Sequence, residues 1–379
     1  MAPRFDHVEL SPAELALQRE VRAFCDAELP RGSYKVGLGF QAATDRTFSR
    51  KLGEKGWLGM ALPKEYGGHE RGAVDRFIVV EELIRRGAPV HHHWTADRQS
   101  SQVILKFGTE AQKQRFLPAI CRGELGFSIG MSEPDAGSDL AGIKTRATKT
   151  DGGWLINGTK IWTSGAHENE WIIMLVRTSD SADRHDGLSQ FLVDLKSPGL
   201  VVNPIHFLDG GHHFNEIVLT DVFVPDDMLL GEEGRGWQQN GNELSYERGG
   251  PDRLLSAWTL IEEFMRENAG TELGDHATQL LGGAFARFWG IRQMSLSVAR
   301  MIDDKKAPAV ESAMVKEMAT RFEQDCIEAV SKLVEMSPSL EAASLLEELL
   351  ARSILNGPAY TIRGGTIEVL VGVVSKGLH

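Results

Sequence analysis

The sequence predicts an α+β multidomain fold, with an N-terminal helical domain, a middle antiparallel β-barrel-like domain and a C-terminal helical bundle. Apolar residues recur at helical spacing in the first third, alternate at strand spacing from Gly126, and return to helical spacing from Trp237. We therefore place the domains at 1–125, 126–236 and 237–379. The length of 379 residues agrees with two or three domains of about 150 residues each.

The first domain is predicted to consist of amphipathic helices. Ser11-Pro12-Ala13-Glu14 is a capping box with proline at the first helical position, and the helix that it starts runs to Pro30. Further helices are predicted over Asp45–Lys55, Asp75–Arg86 and Ala111–Cys121.

Two local patterns in this domain suggest ligand sites but do not have the context of one. Gly37–Ala42 fits the dinucleotide pattern GxGxxA, yet no buried strand precedes it, so we interpret it as a loop. His91–His93 invites a metal interpretation. Because adjacent residues do not share a helix face, and no Cys or carboxylate stands at ligand spacing, we interpret the triplet as a solvated loop and expect no metal site.

The middle domain is predicted from alternating and β-branched segments. Trp154–Trp162 indicates a hairpin, because Asn157-Gly158 is a favoured two-residue turn between β-forming residues. The other predicted strands are Phe127–Ser132, Ile143–Thr150, Trp171–Val176, Gln190–Asp194, Gly199–Phe207 and Asn215–Leu219. The third domain is predicted to hold helices over 237–248, 252–266, 275–304, 309–337 and 340–354, with a last segment after Gly365.

Composition excludes several classes of protein. Lys+Arg 41 against Asp+Glu 53 gives a net charge of −12, which disfavours general nucleic-acid binding. The longest apolar runs have six residues, whereas a membrane span needs about 20. The N-terminus lacks the apolar region of a signal peptide. Three widely spaced cysteines are typical of reduced thiols, so we expect a cytoplasmic protein.

Four segments carry a family resemblance. Gly130–Ala141 (GMSEPDAGSDLA) is a strand that enters a glycine-rich turn, and Trp154–Gly165 (WLINGTKIWTSG) follows it. Asp221–Pro225 (DVFVP) and Ile362–Glu368 (IRGGTIE) continue the pattern. In this combination and spacing, the chain resembles the acyl-CoA dehydrogenase family over essentially its whole length.

The resemblance implies FAD-dependent α,β-desaturation of an acyl-CoA thioester. In that reaction a glutamate takes the α-proton, the β-hydride goes to flavin N5, and an electron-transfer flavoprotein accepts the electrons. The resemblance implies that Ser132 and Ser164 contact the isoalloxazine, that Trp162 packs against it, and that Ser138 lies where flavin and acyl-CoA meet. The full set of implied cofactor contacts is Met131, Ser132, Gly137, Ser138, Trp162, Ser164, Thr366 and Glu368.

The catalytic base is not at its usual family position. Many members carry the glutamate directly before Gly-Thr in the C-terminal segment, where this chain has Gly364. Another branch places it in a Glu-Arg pair on a bundle helix, which favours Glu247, followed by Arg248 as a substrate contact. Glu243 is the second candidate. Pro251 supports Glu247, because its ring clashes with the carbonyl four residues earlier and predicts a kink there. The backbone N–H of Gly364 is still implied to polarise the thioester carbonyl.

Other departures leave the assembly open. The family's R-x-x-F-G segment has only a weak match at Arg287–Gly290, and its Q-x-x-G-G-x-G segment is missing from Glu335–Leu340. Both normally bind the adenylate half of FAD across a subunit interface, so a homo-oligomer and a hetero-oligomer both remain open. A non-catalytic partner subunit and a flavin monooxygenase or oxidase on the same fold are the alternatives. Candidate residues for the CoA phosphates are Arg98, Lys144 and Arg146.

Overall fold

The computed structural model describes residues 3–39, 41–239, 249–334, 339, 341 and 343–378. Its helices are α1 (Pro12–Glu28), α2 (Arg46–Glu54), α3 (Ala73–Arg85), α4 (His91–Thr95), α5 (Ser101–Phe107), α6 (Glu110–Cys121), α7 (Trp258–Glu267), α8 (Asp275–Asp303), α9 (Ala309–Leu333), α10 (Leu345–Asn356) and α11 (Ile367–Gly377). A π-helical turn, Ala96–Ser100, joins α4 to α5.

The strands form one sheet in the described part of the chain. They are β1 (Phe127–Gly130), β2 (Arg146–Thr150), β3 (Gly153–Ser164), β4 (Trp171–Arg177), β5 (Leu188–Asp194), β6 (Leu200–His206), β7 (His212–Pro225) and β8 (Leu229–Leu230). Their order is β6-β7-β3-β2-β4-β5-β8, with β1 beside β4. Most pairs are antiparallel, whereas β1 and β2 meet β4 in parallel. Helices, then a sheet, then helices confirm the predicted fold class.

The chain divides into two compact units. Met1–Ala43, Gly72–Pro89 and Ser245–His379 form one, which we call the helical unit, and Thr44–Arg71 and Val90–Leu244 form the other, the sheet unit. The boundaries 1–125, 126–236 and 237–379 stay a prediction.

The core of the sheet unit lies around β4 and β5. The five central residues of β4 are buried, because its neighbours β1, β2 and β5 enclose it. Helix α6 packs on this core through Phe116, whose ring lies 5.7 Å from that of Phe127 and 4.9 Å from that of Trp171, both edge to face. The uninterrupted apolar run seen in the sequence is thus a strand with a fully buried centre.

Paired charges fix the helices of the helical unit to one another. Arg292 of α8 donates two hydrogen bonds to Glu81 of α3, at 2.6 and 2.7 Å. Arg22 of α1 donates two to Glu82, also of α3, at 2.9 and 2.8 Å. Both carboxylates are buried, so these bidentate pairs set the relative positions of three helices.

The predicted hairpin at Trp154–Trp162 is wrong. These residues lie within the single strand β3, which pairs along its length with β7. Asn157 does not form a turn. Its side chain exchanges two hydrogen bonds, each of 2.9 Å, with Asp221 of β7, at a bulge in the ladder. The long-range pairing satisfies the amide, and the local turn preference is overridden.

The prediction of a solvated loop at His91–His93 is also wrong. The triplet begins α4, and its members are 5%, 1% and 4% exposed. The helix packs against α2 and β1, and the Nδ1 atom of His93 lies 2.8 Å from the hydroxyl oxygen of Ser49. Packing against two neighbouring elements encloses all three rings.

Two bundle helices begin later than the sequence predicts, whereas α8 and α9 begin at the predicted residues 275 and 309. Residues 251–253 form a 3-10 turn, and α7 begins at Trp258 rather than at 252. The reason is that the backbone N–H of Ser256 donates to the buried carboxylate of Glu323, at 2.7 Å, instead of to a helical carbonyl. Helix α10 begins at Leu345, where Ser344 caps it. Most of the predicted helix 237–248 lies outside the described residues.

None of the described helices combines the length and the apolar character that crossing a bilayer requires.

A carboxylate from the end of α8 caps the start of α3, and its removal should be measurable. Gly72, the N-cap of α3, has no side chain, and Asp303 accepts from the backbone N–H groups of Ala73 and Val74 at 2.5 and 3.3 Å. We expect Asp303→Ala to lower the free energy of unfolding by about 0.5–2 kcal/mol. Urea denaturation measures the loss.

The matched control is the neighbouring Asp304→Ala, whose half-exposed carboxylate pairs with exposed Lys306 at 3.1 Å. That change should have an effect below about 0.5 kcal/mol. Equal losses in both variants would contradict the capping role.

Candidate functional site

A glycine-rich turn follows β1 and presents the predicted cofactor contacts. Glu133 and Ala136 close the turn, each donating its backbone N–H to the other's carbonyl at 2.8 and 3.0 Å. Met131 and Ser132 before the turn are half-buried, and residues 137–138 within it are exposed. The turn therefore offers backbone and hydroxyl groups at the surface of the sheet unit, as an anionic ligand requires.

A buried ion pair anchors this turn to β3. The ammonium group of Lys160 donates to Glu133 Oε1 at 2.9 Å and to the carbonyl of Met131 at 3.1 Å. The backbone N–H groups of Lys144 and Thr145 donate to the same carboxylate at 2.6 and 2.9 Å. The Lys160 side chain is fully buried and that of Glu133 is 6% exposed, so the pair is shielded from water.

Burial and pairing shift the pKa values of both Lys160 and Glu133. Burial lowers the pKa of Lys160 to about 8, although the Glu133 carboxylate opposes the shift. Burial alone would raise the pKa of Glu133, but the charge of Lys160 and the hydrogen bonds from Thr145 and Lys144 outweigh it and lower that pKa. Near neutral pH both groups are therefore charged, and the turn is held by a charge-assisted network.

Trp162 projects from a bulge near the end of β3. Its backbone φ is +59°, a left-handed conformation that is rare for an aromatic residue. The register between β3 and β7 shifts between Lys160 and Thr163, and this shift re-aims the side chain. The ring is 54% exposed and its edge lies against Phe214, with centroids 5.9 Å apart. A strained backbone that exposes a flat apolar ring is typical of a binding site.

Ser164 ends β3 beside the turn. Its carbonyl accepts from the hydroxyl of Ser128 on β1 at 2.7 Å, and its own side chain is half-buried. Within the sheet unit, the structure thus brings the predicted contacts of both motifs onto three connected elements: the end of β1, the turn after it, and the end of β3. Small polar groups and an exposed indole face fit a planar heterocycle with an attached phosphate.

The C-terminal segment holds the other predicted residues in the helical unit. Gly364 and Gly365 have φ values of +65° and +98°. Thr366 caps α11, accepting from the backbone N–H of Val369 at 3.3 Å, and Glu368 lies exposed in the first turn. The pKa of Glu368 is lowered by hydrogen bonds from its own backbone N–H and from Thr366.

A buried guanidinium occupies the space where a side chain at position 364 would begin. A Cβ atom added to Gly364 would lie 3.1 Å from two atoms of the Arg253 guanidinium. Arg253 is 2% exposed and lies 3.2 Å from the carboxylate of Asp252. Beside it, Arg363 donates to buried Glu323 at 2.5 Å. A side chain at position 364 would therefore require this guanidinium to shift by a few tenths of an ångström, and the positive φ of Gly364 disfavours a side chain further.

Several predicted residues have other surroundings. Glu243, Glu247 and Arg248 lie outside the described residues, as do 335–338 and 340. Arg287, from the weak R-x-x-F-G match, pairs with Asp325 at 2.5 Å.

The three candidates for the CoA phosphates are all engaged. Arg98 is buried, with its guanidinium 5.3 Å from the Trp94 ring centroid. Lys144 pairs with Asp135 at 3.1 Å, and Arg146 pairs with Asp180 at 2.5 Å. In the described part of the chain, no group of three or more His, Cys, Asp or Glu side chains could hold a metal ion.

Sequence reasoning missed Glu133 and Lys160 as the anchor of the site. Both stand inside the segments that carry the resemblance, yet neither was assigned a role. A signal was available, because Lys160 has the same strand parity as Trp154 and Ile156, whose side chains face the core. A lysine at a core-facing position requires a buried carboxylate partner.

The pairing has a measurable consequence. Lys160→Met would leave the Glu133 carboxylate buried without its cation, and we expect a loss of about 3–5 kcal/mol in the free energy of unfolding. The double variant Lys160→Met with Glu133→Gln should recover part of that loss, because no buried charge remains. Urea denaturation of the three proteins measures both effects.

Lys144→Met is the matched control, since Lys144 pairs with Asp135 while both side chains are more than three-quarters exposed. Such a pair contributes about 0–1 kcal/mol. If Lys160→Met and Lys144→Met were equally stable, the anchoring role of the buried pair would be excluded.

Comparisons with known proteins identify a family for the chain. The family model "Acyl-CoA dehydrogenase, N-terminal domain" matches residues 11–124, and "Acyl-CoA dehydrogenase, middle domain" matches residues 128–222. Acyl-CoA dehydrogenase FadE26 of Mycobacterium tuberculosis is 30% identical, covering 98% of this chain and 98% of its own. Acyl-CoA dehydrogenase FadE34 of the same organism is 33% identical over 86% of this chain. The chain spans 45% of FadE34's length.

A solved structure extends the likeness to the whole fold. The structure described as "Tcur3481-Tcur3483 steroid ACAD" superposes with a TM-score of 0.86 at 27% sequence identity, covering 98% of each chain.

Proposed function

Because the chain belongs to the acyl-CoA dehydrogenase family of FAD-dependent oxidoreductases, we propose that it catalyses the α,β-desaturation of an acyl-CoA thioester. The observation that carries the proposal is the anchored turn. The buried Glu133–Lys160 pair holds the serines of the turn beside the strand that exposes Trp162. This arrangement suits a flavin, whose ring needs a flat apolar partner and small hydrogen-bonding groups.

The flavin contacts follow from these surfaces. We assign Ser132 and Ser164 to hydrogen bonds with the flavin ring, Trp162 to packing against it, and Ser138 to the place where flavin and acyl-CoA meet. We assign Met131 and Gly137 to backbone contacts with the cofactor, and Thr366 and Glu368 of the C-terminal segment to further cofactor contacts. FAD, when bound, supplies the acceptor for the hydride that leaves the β-carbon.

The proton at the α-carbon needs a base from this chain. We assign it to a carboxylate oxygen of Glu247, with Glu243 as the second candidate. A carboxylate projecting from position 364 is disfavoured by geometry, because the Arg253 guanidinium fills the space that its Cβ would enter. Desolvation beside an acyl chain would raise the pKa of Glu247 toward neutrality, where a general base works best. Arg248 is assigned to substrate binding.

The thioester carbonyl gains negative charge as the α-proton leaves. We assign its stabilisation to the backbone N–H of Gly364, which needs no side chain to donate. The left-handed conformation of Gly364 is one that a residue with a Cβ rarely adopts. A glycine is thus compatible with the donor role and incompatible with the role of base.

The electron acceptor and the assembly belong to the same proposal. We assign the acceptor to an electron-transfer flavoprotein, the assembly to a homo- or hetero-oligomer of family subunits, and the location to the cytoplasm. The solved ChsE4-ChsE5 complex from Mycobacterium tuberculosis, 26% identical to this chain, favours the heteromeric form. A flavin-sharing, non-catalytic subunit is therefore the second candidate function, and an oxygen-using monooxygenase or oxidase is the third.

The base assignment is tested by Glu247→Gln, which keeps the side-chain shape but cannot take a proton near neutral pH. We expect the variant to bind FAD as the wild type does, and to lose flavin reduction by acyl-CoA by at least about 100-fold, in line with general-base catalysis. The measurement is the anaerobic decrease of the flavin absorbance band during titration with a panel of fatty, branched, aromatic and steroid acyl-CoAs.

Glu243→Gln is the matched control, because the same substitution four residues earlier in the sequence should leave flavin reduction within a few-fold of wild type. A reversed pattern would move the base to Glu243. Failure of the wild-type chain to hold FAD alone would favour the partner-subunit function. Rapid oxygen consumption after reduction would favour the oxygen-using function.

A further inference from the structure

Five histidines meet behind the surface that presents Trp162 and Ser164. We call His91, His167, His206, His212 and His213 the histidine cluster. The rings of His167 and His212 stack at 3.8 Å, His206 lies 5.6 Å from His212, and His91 lies 4.6 Å from His213. All belong to the sheet unit, and His91 and His213 are buried.

The cluster contacts the end of β3 directly. The carbonyl of His213 accepts from the backbone N–H of Gly165, the residue after Ser164, at 2.9 Å. The His91 ring lies so close to Gly165 that an added Cβ would be 2.3 Å from its Nε2 atom. The ring of Phe214 contacts both His213, at 4.9 Å, and Trp162, at 5.9 Å. Movement of these imidazoles would therefore move the residues proposed to contact flavin.

Hydrogen bonding requires one of these rings to be neutral. The side-chain amide of buried Asn215 donates to the carbonyl of Thr163 at 3.0 Å, and this acceptor fixes which side of the amide is NH₂. The same NH₂ group lies 3.1 Å from His167 Nδ1, which must therefore accept. Protonated His167 would place an N–H against the amide N–H, because imidazolium has only donors.

The second amide contact fixes the partner ring. Asn215 Oδ1 lies 2.8 Å from His212 Nε2, so His212 donates there. The Asn215 side chain thus accepts from His212 and donates to His167. Its hydrogen bond to the carbonyl of Thr163 connects both rings to β3.

Burial disfavours protons on two rings of the cluster. Burial lowers the pKa of His213 well below the ordinary value, and His91, His167 and His212 reinforce the shift. Burial also lowers the pKa of His167, with His212 acting in the same direction. Glu168 opposes the shift at His167, with its carboxylate 3.9 Å from Nε2 and receiving a hydrogen bond from the Thr44 hydroxyl.

We propose that the histidine cluster is a proton-sensitive support for the flavin-contacting end of β3 and for the start of β7 that pairs with it, which holds Trp162 and Ser164 in place only while His167 and His213 are neutral. These are positioning residues, and the inference rests on the flavin contacts proposed above. Acidification adds a proton to His167 against the Asn215 amide, and to buried His213 among neighbouring imidazoles. The strand ends then open, and the affinity for FAD falls.

The support is tested first without flavin. Hydrogen–deuterium exchange is measured on peptides covering 159–170 and 205–216 of the full chain, at about pH 7.5 and about pH 5.5, the range in which histidine titrates. Rates are corrected for intrinsic exchange, with peptides from buried β4 as internal reference. We expect the two peptides, and not the reference, to lose protection on acidification. Unchanged protection would overturn the proposal.

Two variants remove the titration and keep the contacts. His167→Asn retains an acceptor for the Asn215 amide, and His213→Phe retains a ring against Phe214. Both should keep protection at the lower pH. His276→Asn, at an exposed position on α8, should behave as wild type. If neither cluster variant differed from wild type, the cluster would not be the pH sensor. Should His213→Phe fail to fold, the result for His167→Asn alone decides whether the cluster is the sensor.

FAD affinity, measured by quenching of flavin fluorescence, links the support to the ligand. For a single group that must be neutral, we expect the wild-type affinity to fall about tenfold per pH unit below its pKa, and His167→Asn to flatten that dependence. Equal dependence in both proteins would overturn the link. Absence of FAD binding at every pH would refute the proposed flavin site, while the exchange experiment would still decide the role of the cluster.

Discussion

The ionic contact between Glu133 and Lys160 connects two segments that are far apart in sequence and must act together. The turn after β1 has exposed glycine and serine residues and little apolar surface of its own. Its position therefore depends on the carboxylate beneath it, which accepts from Lys160 and from the backbone of Lys144 and Thr145. Burying two charges is costly, and an apolar pair could be as stable. The ion pair fixes the orientation of the turn, because several directional hydrogen bonds converge on one carboxylate and hold the turn against β3.

The helical unit shows the same use of buried charge with a different result. Glu81–Arg292 and Glu82–Arg22 fix helices, whereas the guanidinium of Arg253, paired with Asp252, lies against Gly364. A side chain at position 364 would have to push this guanidinium aside by a few tenths of an ångström. The absence of a side chain there and the presence of the arginine are thus two aspects of one packing arrangement. It keeps the backbone N–H as a donor and moves the requirement for a base to another position in the sequence.

Sequence patterns predicted the features that depend on local periodicity. The fold class and β4 follow from apolar spacing, because a run of apolar residues has few alternatives to a buried strand. The errors have a common cause in long-range contacts. Asn157-Gly158 favours a turn until Asp221 satisfies the amide, and His91–His93 looks polar until α2 and β1 enclose it. The late start of α7 depends on Glu323, 67 residues beyond Ser256. The positive φ of Trp162 likewise follows from a register shift against β7, which no local pattern encodes.

The pKa values of the groups behind the turn and β3 are all lowered in the folded protein, so each group makes the free energy of unfolding increase as the pH rises through its titration range. His167 and His213 have lowered pKa values in the folded protein, so the unfolded chain binds more protons below about pH 6.5 and stability falls there. The pKa of Glu133 is also lowered, so its contribution is present above the ordinary glutamate value and is lost as the pH falls through the folded one. Lys160, lowered to about 8, releases its proton earlier in the folded protein, so stability rises with pH above that value. Acid therefore weakens this surface twice, first at the histidines and then at Glu133.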